Sequence, residues 1–79
     1  MRLDLFLKDS RIIKRRTIAK EYCERGLVKV NDKEAKPSLN INSGDKINIK
    51  FGDKEYCVTA IVEIVGKKER AKYDSVESR

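Results

Sequence analysis

Residues 17–30 of the chain read TIAKEYCERGLVKV, and this stretch is the strongest indication of the fold. Its first half carries two pairs of apolar residues spaced four apart, Ile18 with Tyr22 and Ala19 with Cys23. That spacing places all of them on one stripe of a helix, with charged residues at the remaining positions. Its second half alternates valine with lysine, which is the period of a strand with one buried face. The stretch therefore predicts a helix that packs on a sheet, an α+β architecture.

The helix within this stretch has recognisable signals at both ends. Thr17 is a suitable residue to cap its N-terminus, and Gly26 suits the left-handed position that follows its last turn. A shorter helix is predicted before it, because apolar residues near the start of the chain share one helical face: Leu3, Phe6 and Leu7. Asp4 falls in the first turn of that helix, where a negative charge is favourable. Two short helices in succession are therefore expected.

Residues 28–65 carry the pattern of a small, mainly antiparallel sheet on which these helices would pack. Apolar and polar residues alternate in several short runs, and two dipeptides favour tight turns between them, Asn31-Asp32 and Gly52-Asp53. Leu39 and Ile41 are predicted to reach the core from a loop.

The last stretch, residues 66–79, has dense mixed charge and few apolar residues. Such a composition is typical of segments that bury too little apolar surface to fold. We expect a single domain over residues 1–65, followed by a flexible, charged tail over residues 66–79. The alternative for the tail is a weak helix that docks on a partner.

The charge of the chain is positive and unevenly distributed. Lys and Arg outnumber Asp and Glu by 19 to 13, and the formal net charge is +6. Residues 1–36 carry eleven basic and six acidic side chains, whereas residues 37–79 carry eight and seven. A basic chain of this kind most often binds a polyanion such as nucleic acid. The alternative at this point is a basic protein without such a partner.

The residue types argue against an enzyme. The chain lacks histidine, which removes the commonest general base and the commonest metal ligand. Two cysteines, Cys23 and Cys57, fall short of the roughly four ligands of a structural zinc site, so neither a metal nor a cofactor is expected. Both are predicted to be buried free thiols in a reducing cytosol, and a disulfide between them is the alternative. No apolar run approaches the roughly 20 residues that cross a bilayer, so we expect a cytoplasmic protein without membrane contact.

The most informative charges lie between Ser10 and Lys20, where five basic residues occur without an acidic one. Four of them precede or begin the predicted second helix: Arg11, Lys14, Arg15 and Arg16. Backbone N–H groups at a helix N-terminus attract phosphate, and arginine adds paired hydrogen bonds to phosphate oxygens. The stretch therefore predicts a phosphate-binding face, and ordinary solvated charges are the alternative. Further basic residues extend that face: Arg2, Lys33 and Lys36.

A series of spaced motifs carries a resemblance to a known family. In chain order they are Arg2-Leu3-Asp4-x-Phe6-Leu7, Ser10-Arg11, Lys14-Arg15-Arg16-Thr17-x-Ala19, Gly26-x-Val28-x-Val30-Asn31, Ala35-Lys36-Pro37-Ser38 and Gly44-Asp45-x-Ile47. Together they resemble the S-four-type RNA-binding domain, a family named after a small-subunit ribosomal protein. The resemblance implies an αL fold, in which two short helices on a small sheet present the RNA-binding face. The implied RNA contacts, with Lys33 added from the charge pattern, are Arg2, Ser10, Arg11, Lys14, Arg15, Arg16, Thr17, Lys20, Asn31, Lys33, Lys36 and Ser38.

The stand-alone form of the domain resembles family members of bacterial ribosome-associated quality control, which are relatives of the fifteen-kilodalton ribosome-binding heat-shock protein. The resemblance implies binding to rRNA and tRNA on obstructed large ribosomal subunits, alanine tailing of nascent chains, and a tRNA-recruiting partner factor. We expect a monomer. One alternative is a non-catalytic fragment or accessory module of an RNA-modifying enzyme such as a pseudouridine synthase. Another is a protein adaptor or a membrane-surface peptide, although the apolar helix stripe is needed for the core.

The sequence departs from the family pattern at two positions. Asp32 stands where the turn usually has glycine, and Leu5 stands where the family often has lysine. Because aspartate adopts the left-handed conformation less readily than glycine, the turn is expected to be slightly strained. The leucine removes one phosphate contact from the first helix.

Overall fold

The structure, a computed structural model, describes the backbone of residues 1–78 and the side chains of residues 1–74. The described part of the chain forms two helices and five strands: α1 (Leu3–Asp9), α2 (Arg16–Glu24), β1 (Val28–Val30), β2 (Lys33–Glu34), β3 (Lys46–Phe51), β4 (Lys54–Val65) and β5 (Lys68–Ser78). The strands make one antiparallel sheet in the order β2-β1-β3-β4-β5. The predicted α+β architecture, with two N-terminal helices and a mainly antiparallel sheet, is confirmed.

The helices and the sheet share one core. Its fully buried side chains come from both helices, β1, β3, β4 and the loop before β3, and they include Leu3, Phe6, Leu7, Ala19, Val28, Ile41, Ile47, Ile49 and Ala60. From α2 only the small side chains Ala19 and Cys23 are buried in the described structure, and Ile18 is 39% exposed. The prediction for Leu39 is wrong, because its side chain is 41% exposed while its carbonyl oxygen accepts the N–H of Leu3.

Two tight turns set the register of the sheet as predicted. Asn31 and Asp32 have φ angles of 52° and 69°, and they join β1 to β2 through the pair Val30↔Lys33. Positive φ at both central positions is the type I′ arrangement, whose twist matches that of the two strands. Gly52 joins β3 to β4 with a φ of 59°. Asp32, where strain was expected, therefore does adopt a left-handed backbone conformation.

The flexible tail predicted for residues 66–79 is wrong for the part that the structure describes. Lys68–Ser78 form β5, which pairs antiparallel with β4 through most of its length, and Arg79 lies outside the described residues. Gly66, with a φ of 67°, opens the two-residue turn between β4 and β5. The stretch is therefore the edge strand of the sheet rather than a tail or a helix.

One side chain of α1 attaches to this edge strand. The Asp9 carboxylate accepts a hydrogen bond of 2.8 Å from the backbone N–H of Ala71, whose own side chain is buried. A strand at a sheet edge has unpaired N–H groups on its outer side, and here a carboxylate from α1 satisfies one of them. As a result, the C-terminal end of α1 lies beside β5.

Candidate nucleic-acid interface

The start of α2 differs from its prediction in a way that matters for ligand binding. Arg15 occupies the N-cap position in an extended conformation, without a side-chain cap among the described residues. Thr17, predicted as the cap, lies inside the helix instead. The first hydrogen bond of the helix runs from the N–H of Ala19 to the carbonyl of Arg15 at 3.0 Å. The N–H groups that precede Ala19 therefore keep their capacity to bind an anion.

Next to this helix start lies an open groove, which we call the helix groove. It is lined by Arg2, Arg16, Thr17 and Lys20 around Asp4. Asp4 Oδ1 lies 3.3 Å from Arg2 Nε, and Asp4 Oδ2 lies 3.4 Å from Arg16 Nε. The two guanidinium groups, which come from different elements, thus meet on one carboxylate. Each guanidinium has five N–H donors, so both keep donors for a phosphate.

Asp4 itself is almost completely buried, with 2% of its surface exposed. A buried carboxylate is costly unless its oxygens are hydrogen-bonded or paired. Here Oδ1 accepts the backbone N–H of Leu5 at 2.8 Å, and the two arginines compensate the charge. The first-turn position predicted for Asp4 is confirmed, and the structure adds that its charge orients Arg2 and Arg16.

A second open groove, the strand groove, lies where the end of α1 meets β5. It is lined by Lys8, Asp9, Arg11, Lys14 and Arg70. Arg11 follows α1 with a φ of 66°, a left-handed conformation that is uncommon for a residue other than glycine. Its N–H bonds to the carbonyl of Lys8 at 3.0 Å, which holds this conformation in place.

The structure thus distributes the predicted contact residues between two grooves. Arg2, Arg16, Thr17 and Lys20 meet in the helix groove, and Arg11 and Lys14 lie in the strand groove. Arg15 lies between these two sets in sequence, exposed at the start of α2.

Two other predicted residues adjoin the helices without lining either groove. Ser10 ends α1, and its hydroxyl donates to the carbonyl of Leu7 at 3.3 Å. Ser38 is exposed between Pro37 and Leu39, whose carbonyl oxygens accept the first N–H groups of α1, so it lies beside the start of that helix.

The remaining predicted residues lie elsewhere. Asn31 lies in the β1–β2 turn and Lys33 begins β2, at the sheet edge opposite β5. The Asn31 side chain bonds to Asp45 and to the N–H of Lys46, so it holds two turns together. Lys36 lines a shallow groove beside the last turn of α2. The structure does not bring these three residues into the helix groove or the strand groove.

Sequence reasoning missed two members of the strand groove, Lys8 and Arg70. Lys8 was visible as the basic residue in the last turn of α1. Arg70 was hidden by the assignment of residues 66–79 to a tail. A signal was present, because Gly66 suits a hairpin turn and the apolar residues Ala71 and Tyr73 alternate with charged ones.

The cysteines are free and buried, as predicted. Burial, reinforced by the negative charge of Asp4, raises the pKa of the Cys23 thiol to about 11, so it stays protonated at neutral pH. Among the side chains of residues 1–74, no group of three or more His, Cys, Asp or Glu is arranged to hold a metal ion. The described helices are all too short or too polar to cross a membrane.

Comparisons with known proteins agree with this architecture. The family model of the S4 domain matches residues 1–47. A solved structure, the trimeric heat shock protein 15 of Vibrio cholerae, superposes with a TM-score of 0.72 and 28% identity, covering 95% of this chain and 82% of that one.

Curated relatives with the name RQC P-site tRNA stabilizing factor are also similar. The Listeria monocytogenes protein is 53% identical over 74 residues, which are 90% of this chain and 78% of the relative. The Halalkalibacterium halodurans protein is 51% identical over 71 residues, 87% of this chain and 81% of the relative. The more distant Helicobacter pylori protein is 38% identical over 63 residues, 77% of this chain and 75% of the relative. The chain therefore belongs to the S4 domain family, in the group that contains the RQC P-site tRNA stabilizing factors.

Proposed function

We propose that this protein binds rRNA and tRNA on obstructed large ribosomal subunits and acts in ribosome-associated quality control, where nascent chains receive an alanine tail. The observation that carries the proposal is the helix groove, in which two arginines held by Asp4 flank the uncapped start of α2. The names of the relatives support a tRNA at the ribosomal P site as the ligand class. In this role the protein holds RNA and performs no chemical step.

The chemistry of the helix groove fits an RNA backbone. Guanidinium groups and helix N–H groups recognise phosphate oxygens, which every nucleotide carries, and the shape of the RNA then determines where they meet. Extensive base stacking is not part of this mode, because Phe6 is fully buried and the half-buried Tyr22 and Phe51 pack together with ring centroids 5.5 Å apart.

The proposal extends to the contact residues, the assembly state and the place of action. The proposed RNA contacts are those of the sequence analysis: Arg2, Ser10, Arg11, Lys14, Arg15, Arg16, Thr17, Lys20, Asn31, Lys33, Lys36 and Ser38. We propose a monomer, which works with a tRNA-recruiting factor on the ribosome in the cytoplasm. Light scattering of the purified protein tests the monomer, and a trimer in solution would contradict it.

A matched pair of substitutions tests the RNA-binding role of the helix groove. Arg16→Ala removes a guanidinium held by Asp4, whereas Arg25→Ala removes one from the other end of α2, where it pairs only with exposed Glu21 in the described structure. We expect Arg16→Ala to weaken binding to purified tRNA by about 10- to 100-fold, the range for a charge-assisted hydrogen bond to phosphate. Arg25→Ala should stay within about twofold, because surface pairs contribute little. Equal effects would contradict the assignment.

The salt dependence of binding provides an independent measurement. If about five phosphates are neutralised, log affinity falls with log salt at a slope of roughly −3.5 to −4.5. Arg16→Ala should reduce that slope by about 1. Crosslinking in cells, followed by sequencing, should recover large-subunit rRNA together with tRNA. A flat salt dependence, or recovery of mRNA alone, would contradict the proposal.

A further inference from the structure

The strand groove contains an arginine whose nearest carboxylate across the sheet is already engaged. Arg70 lies directly opposite Glu63 in the register of β5 and β4. A cross-strand pair of opposite charge normally forms at such a position. The Glu63 carboxylate is instead 3.2 Å from the Nζ atom of Lys72. Arg70 is therefore left to line the groove formed with the end of α1.

The charges in the strand groove are unbalanced. Its cations come from three parts of the chain: Lys8, Arg11, Lys14 and Arg70. Within the described residues, none of these four belongs to an ion pair. The one carboxylate, that of Asp9, accepts a hydrogen bond from the N–H of Ala71 and fixes α1 against β5. Four like charges at one site repel each other, and an anion bound between them would relieve the repulsion.

The shape and position of the groove indicate which anion it takes. The strand groove is open to solvent and extends from the α1–α2 connection to the β4–β5 hairpin. Arginine and lysine side chains along an open groove suit a chain of phosphates better than a single small anion. The same α1–α2 connection leads into the start of α2, so an RNA at the helix groove is already close.

We infer that the strand groove is a second phosphate-binding surface, which contacts RNA backbone beyond the segment held at the helix groove. Arg70 is the contact that β5 contributes, and Lys8 is the contact that the last turn of α1 contributes. This inference rests on the proposed function and adds a surface to it. It also gives β5 a role in ligand binding in addition to its pairing with β4.

Two substitutions on β5 test the inference, because each removes one positive charge from the same strand. Arg70→Gln removes the cation that β5 contributes to the strand groove, and Lys68→Gln removes an exposed cation of β5 that does not line this groove. With the full chain and purified tRNA, we expect Arg70→Gln to weaken binding about three- to tenfold and to reduce the salt slope by about 0.7 to 1, the contribution of one phosphate contact. Lys68→Gln should change affinity less than about twofold, because Lys68 lies outside the groove and its charge is screened by salt. Arg70→Lys should recover part of the lost affinity, since it restores the charge without the planar fork.

The outcome separates this inference from the proposed function. If Arg16→Ala weakens binding while Arg70→Gln and Lys68→Gln behave alike, the strand groove does not bind RNA and the inference is overturned. If neither Arg16→Ala nor Arg70→Gln affects binding, the proposed function fails as well. Circular-dichroism melting of each variant shows that the chain is folded, which is expected because Arg70 and Lys68 are exposed and because Arg2 still pairs with Asp4 in Arg16→Ala.

Discussion

The helix groove and the strand groove contain the same kinds of cation, but they differ in what their carboxylate does. In the helix groove, buried Asp4 lies within 3.4 Å of the guanidinium nitrogens of Arg2 and Arg16. In the strand groove, Asp9 bonds to the backbone of β5 at Ala71 instead. One carboxylate therefore orients side chains of the proposed RNA-binding groove, and the other joins two elements of the scaffold.

This difference predicts how each groove would bind phosphate. Arginines that are already oriented lose less conformational entropy when a phosphate arrives, so they favour one geometry of the ligand. Lysine and arginine side chains without such an anchor must be ordered on binding, but they can follow a backbone of variable path. We expect the helix groove to determine position on the RNA and the strand groove to add affinity.

The largest effect should come from the helix that both grooves share. Leu3 is fully buried on α1, and Leu3→Ala should reduce the free energy of unfolding by about 2–5 kcal/mol, through lost apolar burial and a cavity. That is a large share of the roughly 4–12 kcal/mol expected for a domain of this length. Leu39→Ala, which truncates a neighbouring exposed leucine, should cost less than about 1 kcal/mol. Urea denaturation of both variants measures the difference, and equal losses would contradict the assignment of the core.

A smaller loss of stability is expected when the contact of Asp9 with β5 is removed and the helix groove is left unchanged. Asp9→Ala leaves the N–H of Ala71 without its acceptor, which should cost about 1–2 kcal/mol. Asp9→Asn keeps an oxygen acceptor and should cost less. Hydrogen exchange at the Ala71 amide should accelerate in the alanine variant. Unchanged protection there would show that α1 does not hold β5 through this contact.

The smallest effect is expected on tRNA affinity when Asp4, which orients the two arginines of the helix groove, is replaced. Whether the affinity falls or rises is informative. Asp4→Asn makes the chain more positive, yet it should weaken tRNA binding about three- to tenfold, because Arg2 and Arg16 lose the charge that orients them. Glu24→Gln makes the same change of net charge at the exposed end of α2 and should leave binding equal or slightly tighter. Tighter binding by Asp4→Asn would mean that net charge alone, and not orientation, determines affinity.

Much of the fold could be predicted because its signals are local. The helical stripe at Ala19 and Cys23, the turn at Asn31-Asp32 and the alternation in β3 each depend on residues close in sequence. β5 was missed because its pattern is dominated by charge on the exposed face of an edge strand. Its stability depends on pairing with β4 and on Asp9, a residue 62 positions before Ala71. Composition alone does not contain that information.

The candidate nucleic-acid interface could be predicted from the sequence to about the same extent as the fold. The cations around α2 were visible as a cluster in the sequence, and the structure brings Arg16 together with Arg2 and Lys20. Their division into two grooves was not visible, because it depends on Asp4 being buried between two elements. Arg70 could not be found without the hairpin that carries it to the end of α1.

The extent of the family match has a consequence for how this interface can change. The S4 domain model covers residues 1–47, so it includes all of the helix groove but leaves Arg70 and the hairpin of β4 and β5 outside. The proposed second surface therefore combines residues inside the matched region with Arg70 outside it. If this surface binds RNA, exchanging the exposed residues of the hairpin between relatives should alter RNA preference there while Arg2 and Arg16 stay paired with Asp4. Only the exposed positions of the hairpin can vary in this way, since Val58, Ala60 and Ala71 on its inner face belong to the core.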